Sequence, residues 1–84
     1  MDFVVTEAFY SSYQAVTNSE ARVIDAVIRR LLVDSLSGWA RQGRIKGDIG
    51  SAWIVSAATQ SKDVRLCWDY SDDENLVLLA LVLR

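Results

Sequence analysis

An 84-residue chain with 9 Lys and Arg, 11 Asp and Glu and no histidine carries a formal net charge of −2, and 51% of its residues are hydrophobic against 24% charged. Such a composition excludes disorder, allows one domain with one core over residues 1–84, and leaves a surface apolar enough to predict a partner, either another protein or a second copy. A single cysteine and the lack of histidine exclude an internal disulfide, the usual zinc sites and a histidine base; no metal or cofactor is expected.

Residues 2–6 are short and β-branched, with Phe3 and Val5 on one side and Val4 on the other, which predicts a first strand. Residues 7–16 then place Phe9, Tyr13 and Val16 at helical spacing. Thr17 and Glu20 have the spacing of a capping box, with Asn18 and Ser19 as competing caps. A second helix is predicted from there, with Ile24, Val27, Ile28 and Leu31 as its buried stripe, Asp25 and Arg29 able to pair on the opposite face, and an end near residues 34–38.

Residues 39–50 hold three of the four glycines together with Arg41, Arg44 and Lys46, and read as a basic connection. Residues 52–58 are a strand candidate. In residues 62–70 the alternation puts Val64, Leu66, Trp68 and Tyr70 on one face and Arg65, Cys67 and Asp69 on the other. The last segment, Leu76 to Leu83, is continuously apolar, as a strand buried on both faces would be. It is far shorter than the ~20 residues that span a bilayer. With no basic leader at the start, the expectation is a soluble, cytoplasmic protein.

The predicted order is βααβββ, an α+β fold in which a helical hairpin packs on a mainly antiparallel four-stranded sheet. The last three strands form a meander, and the first strand flanks the final one. Charge is segregated: Arg22, Arg29, Arg30, Arg41, Arg44 and Lys46 are opposed locally only by Asp25 and Asp34. From Asp63 onward, acidic residues outnumber Arg65 and Arg84.

In this order, Val4-Val5-Thr6-Glu7-Ala8-Phe9, the hairpin ending Leu31-Leu32-Val33-Asp34, the basic turn Arg44-Ile45-Lys46-Gly47, Trp53-Ile54-Val55 and Asp63-Val64-Arg65-Leu66 followed by an apolar strand resemble the RelE/ParE superfamily of bacterial toxins. The resemblance covers nearly the whole chain. It implies the toxin of a type II toxin–antitoxin pair that binds a cognate antitoxin and either cleaves messenger RNA at the ribosome, as an endoribonuclease (mRNA interferase), or inhibits DNA gyrase. Arg65 matches a frequent family arginine and is the candidate catalytic residue; Arg44 and Lys46 match the basic character of the family turn. Ser56 stands where the family commonly has arginine, and the sequence ends at Arg84 where the family often continues into a tail bearing a catalytic or base-stacking residue. The alternative expectation is therefore a noncatalytic protein-binding module or decayed toxin on the same fold.

Arg65 has two readings from the residues themselves: a phosphate contact or stabiliser of developing charge on an open sheet face, or an ion pair with Asp69 or another acidic neighbour. Arg41, Arg44 and Lys46 read either as nucleic-acid-binding cations or as a solvated loop. If the chain acts on RNA, all four should line one concave surface. Trp39 and Trp53 fit core or partner-facing positions better than base stacking. Cys67 reads as a small packed residue, and Asp72-Asp73-Glu74 as a solvated hairpin tip without the spaced ligands of a calcium loop.

Overall fold

The structure is a computed structural model that describes residues 2–47, 50–71 and 75–84. The chain order is β1 (Phe3–Val5), α1 (Glu7–Gln14), α2 (Asn18–Asp34), β2 (Gly43–Gly47), β3 (Gly50–Ala58), β4 (Asp63–Tyr70) and β5 (Leu76–Leu83). The strands form one mixed sheet in the order β1-β5-β4-β3-β2, antiparallel throughout except where β1 runs parallel to β5. The helices lie on one face, α1 against β5 and α2 against β3. Among the described residues no helix is long and apolar enough to cross a membrane.

Local chemistry sets the helix starts. The Thr6 hydroxyl accepts the Phe9 amide at 3.2 Å and donates to the Leu79 carbonyl at 2.7 Å, so one side chain caps α1 and ties it to β5. At α2 the capping box is complete: Thr17 Oγ1 accepts the Glu20 amide at 3.2 Å, and Glu20 Oε1 accepts the Thr17 amide at 2.8 Å. The buried stripe Ile24, Val27, Ile28 and Leu31 then meets Val55, Val64, Leu66 and Trp68 of the sheet, with Phe9 from α1 closing the core. Tyr13 and Tyr70 pack at its margin. Trp68, fully buried, donates its indole N–H to the Ala40 carbonyl at 2.8 Å and so pins the segment between α2 and β2 to the sheet.

Two expectations need correction. The sheet has five strands rather than four, because Gly43–Gly47, expected as a connection, pairs with β3 as an edge strand. Gly43 lies opposite Ile54, and a Cβ built there would meet the isoleucine Cβ at 3.5 Å, an ordinary van der Waals contact, so the pairing itself does not require glycine. Second, β5 is internal, between β1 and β4, but its apolar run does not reflect equal burial on both faces. Its register against β4 slips between Cys67 and Trp68, since Cys67 faces Ala80 while Trp68 faces Leu78, leaving Leu79 as the extra residue of a β-bulge. Leu76 and Leu78 point into the core before the bulge, and Leu81 and Leu83 after it. An inward alternation that changes phase midway requires apolar residues at both parities.

Candidate functional site

Because the helices cover one face of the sheet, register decides which side chains remain on the other. Arg65 lies opposite Ser56 of β3 and Val82 of β5, and Cys67 lies opposite Ile54 and Ala80. These residues alternate with the buried Val64, Leu66 and Trp68, so they share the uncovered face. Arg65 is exposed there and lines a shallow depression of about 400 Å³ with Ser56, Ala57, Ala58 and Asp63. Among the described residues it makes no ion pair. Asp69, the expected counter-ion, instead accepts the Tyr70 amide through Oδ1 at 2.8 Å. Cys67 is half-buried and its thiol pKa is pushed up by burial, which disfavours the nucleophilic thiolate and fits a packing role.

The basic residues expected to join Arg65 lie elsewhere. Arg44 is opposite Trp53, whose parity is that of buried Val55, so Arg44 belongs to the helix-covered side at the β2 edge, and Lys46, two residues on, shares that side. The Arg44 guanidinium carbon is 4.5 Å from the Trp53 ring centre. That of Arg41 is 4.8 Å from the same ring centre and 6.0 Å from that of Tyr70. Arg41 also donates from Nε to the Ser35 carbonyl at 3.1 Å and from Nη2 to the Tyr70 hydroxyl at 3.4 Å. Ser35 and Tyr70 share a hydroxyl hydrogen bond at 2.8 Å, and Tyr70 meets Trp68 edge-on at 5.3 Å. Thus Arg41 and Arg44 both reach the Trp53 ring, Lys46 lies farther along the same side of β2, and Arg65 stands on the opposite face, contrary to the expected single concave surface.

Trp39 and Trp53, expected in core or partner-facing positions, both pack half-buried against the core. That each carries a guanidinium was not expected. Arg30 reaches from α2 to lie 4.0 Å over Trp39. The signal was faint: Arg30 and Trp39 are nine positions apart, across a helix end whose path was not predictable.

A second feature lies at the β1 edge. Phe3, Val4 and Val5 are all exposed, and beside them an apolar groove of about 230 Å³ is lined by Phe3, Val5, Phe9, Tyr10, Tyr13 and Ile28 with Asp25 at its rim. The Tyr13 hydroxyl donates to Asp25 Oδ1 at 2.8 Å, and that bond to a carboxylate raises the tyrosine pKa. A cleft of about 580 Å³ between the start of α2 and the β3–β4 turn holds Glu20, whose carboxylate already occupies the helix end and pairs with Lys62 at 3.5 Å.

Among the described residues no three metal-ligating side chains converge. Asp72, Asp73 and Glu74, expected as a solvated hairpin tip, lie outside the described residues. No protein-family model and no curated protein matches the chain.

Proposed function

We propose that this chain is the toxin component of a type II toxin–antitoxin pair of the RelE/ParE kind, with Arg65 meeting the target on the uncovered sheet face and an antitoxin segment seated along β1. One observation carries the reading: an exposed arginine on an internal strand, on the face that the helical hairpin leaves open, with no counter-ion among the described residues. A cation in that position is available to a phosphate or to developing negative charge. The three exposed apolar residues of β1 and the adjoining groove suit a segment that adds a strand to the sheet and drops side chains between β1 and the helices. The order of elements, a strand, a helical hairpin and a meander returning beside the first strand, agrees with the resemblance seen in the sequence.

A noncatalytic version on the same fold, acting by binding alone, is favoured by the surroundings of Arg65. Ser56 rather than a cation faces it across β3, and Arg41, Arg44 and Lys46 lie on the other side of the sheet. With no histidine in the chain, proton transfer to and from RNA lacks its commonest agent.

Induced expression in a bacterial host tests the proposal. Growth arrest, relieved by co-expressing a small neighbouring reading frame whose product co-purifies with the chain, is the expected result. Absence of arrest together with absence of a co-purifying partner overturns it. Between the two versions, arrest accompanied by cleaved messenger RNA selects catalysis, and arrest or partner binding without cleavage selects the binding module.

A further inference from the structure

We propose that the open face of the sheet is the interface of a homodimer, in which two copies meet face to face about a two-fold axis crossing β4 at Cys67, with Arg65 of each copy set against Asp69 of the other. This goes beyond the toxin reading and does not depend on it. Where that reading holds, the dimer is the form in which Arg65 is withheld from the target.

The first ground is what the open face is made of. Register places Val77, Ala80 and Val82 of β5, Cys67 of β4 and Ile54 of β3 on it. Val4 of β1, opposite Val77, and Ile45 of β2, two residues from the Gly43 that faces Ile54, extend it to both edges. Val4, Ile45 and Val82 are 52%, 47% and 40% exposed. An antiparallel sheet with one face in water alternates apolar inside with polar outside. The β5 bulge accounts for an inward set at both parities, but it does not call for an outward set that is apolar as well. An apolar area running across all five strands is more than a monomer ordinarily leaves in water.

Size supplies the second. The sheet has five strands, of which β3 and β4 are 9 and 8 residues long. At about 3.4 Å per residue and about 4.8 Å between strands, its face covers roughly 500–600 Å² in projection and more as accessible surface. Each partner in a stable dimer contributes about 600–1,000 Å².

The arrangement of charge selects a second copy over an unrelated partner. Along β4 this face carries Arg65, Cys67 and Asp69 at alternate positions. A half-turn about an axis lying between the two sheets and crossing the strands at Cys67 reverses β4 and brings cation over carboxylate twice. Residues on the axis face their own copies, so a charge there would repel itself. The row beside Cys67 is Gly43, Ile54 and Ala80, all uncharged. Among the described residues Arg65 makes no ion pair, and Asp69 uses Oδ1 for the Tyr70 amide, which leaves Oδ2 for the other copy's guanidinium. Asp63, also on this face, is matched at the rim by Arg84, with which it exchanges both backbone hydrogen bonds. Packed sheets lie about 10 Å apart with their strands aligned to within about 30°, a gap that an arginine side chain spans. Opposite charges placed symmetrically about an uncharged row are what an isologous contact requires.

The test is sedimentation equilibrium of the intact chain at micromolar concentrations, where a dimer is expected. Arg65→Asp and Asp69→Arg each set like charges across the axis twice, and each should raise the dimer dissociation constant by about tenfold or more. The double variant, with the two charges exchanged, should return to within a few-fold of the parent. Tyr10→Ser in the β1 groove and Leu36→Ser beyond α2, both at exposed positions, should leave the constant unaltered. Variants are read at parental near-ultraviolet circular dichroism; if Asp69→Arg fails that criterion, Val82→Lys on the same face replaces it, with the same weakening expected. A chain that is monomeric throughout, a dimer that the single variants do not weaken, or a dimer that Tyr10→Ser disrupts overturns the proposal, the last by moving the contact to the β1 groove. Weakening without rescue in the double variant overturns the axis at Cys67. None of these readings uses growth arrest, so failure of the toxin reading and failure of the dimer are seen separately.

Discussion

The two faces of the sheet are built by the same strands and differ in almost every other respect. On the helix-covered face, Val55, Val64, Leu66, Trp68, Leu76, Leu78 and Leu81 are buried, and even the polar atoms at the margin are paired: the Trp68 indole with Ala40, and Ser35 with Tyr70. On the open face Ser56 and Val82 flank an arginine, and the residues are exposed or half-buried. One face therefore carries the stability of the domain, and the other is free to change without unfolding it.

The sharpest break in the comparison is at Trp68. Truncation to alanine removes the largest fully buried side chain and leaves the Ala40 carbonyl without its donor, so a loss of about 3–5 kcal/mol is expected. In a domain this small that loss takes most of the stability, and urea unfolding should show either a collapsed midpoint or no cooperative transition. Trp68→Phe keeps much of the volume but loses the hydrogen bond, and should cost about 1–3 kcal/mol. Equal and small effects from both substitutions would mean that the covered face does not dominate.

A smaller effect is expected where the two faces trade places. At the β5 bulge Thr6 supplies both the α1 cap and the donor to Leu79, so Thr6→Val, nearly the same shape, removes two hydrogen bonds. A loss of about 1–2 kcal/mol is expected, with slow hydrogen exchange lost first around Leu78 and Leu79 rather than along β4. If exchange there matches the parent, the bulge is held by packing alone.

The elements that the sequence made legible are those whose signal is local and periodic. The Thr17 and Glu20 box, the stripe Ile24, Val27, Ile28 and Leu31, and the alternation of Val64, Leu66 and Trp68 each state a face in residues close along the chain. The missing strand shows the limit: Gly43–Gly47 offers one apolar residue, Ile45, between basic residues and glycines, and forms a strand because β3 presents an edge to it. Likewise the unbroken Leu76–Leu83 run is the sum of two alternations, which only the register against β4 separates. For the site, Arg65 was legible from parity, whereas the joining of Arg41, Arg44 and Trp53 was not, because the parity of β2 cannot be read before β2 is known to be a strand.

Acid separates a charged contribution at the helix end from the apolar face. The amide of Thr17 chiefly, assisted by Lys62, holds the Glu20 carboxylate below its ordinary value of 4.5. A group whose folded pKa is depressed contributes stability that is present above the unfolded value and lost as pH falls through the folded one. Stability should therefore be flat from neutrality down to that ordinary value and decline below it, and Glu20→Gln should show a weaker decline in the same window. Urea midpoints measured across it decide the matter: parallel curves for parent and variant would remove Glu20 as a source of acid sensitivity.

Arg65 is the smallest effect on stability and the largest on the meaning of the open face. Exposed and without an ion pair among the described residues, it offers the fold little, and Arg65→Ala should shift unfolding by no more than about 0.5 kcal/mol. Had it been held by Asp69, alanine would also have cost up to about 1 kcal/mol, the upper range for a surface pair. A folded Arg65→Ala variant of parental stability that no longer arrests growth assigns the open face to the target. One that arrests growth as the parent does takes Arg65 out of the site. A clear loss of stability would show instead that the open face, too, contributes to holding the sheet.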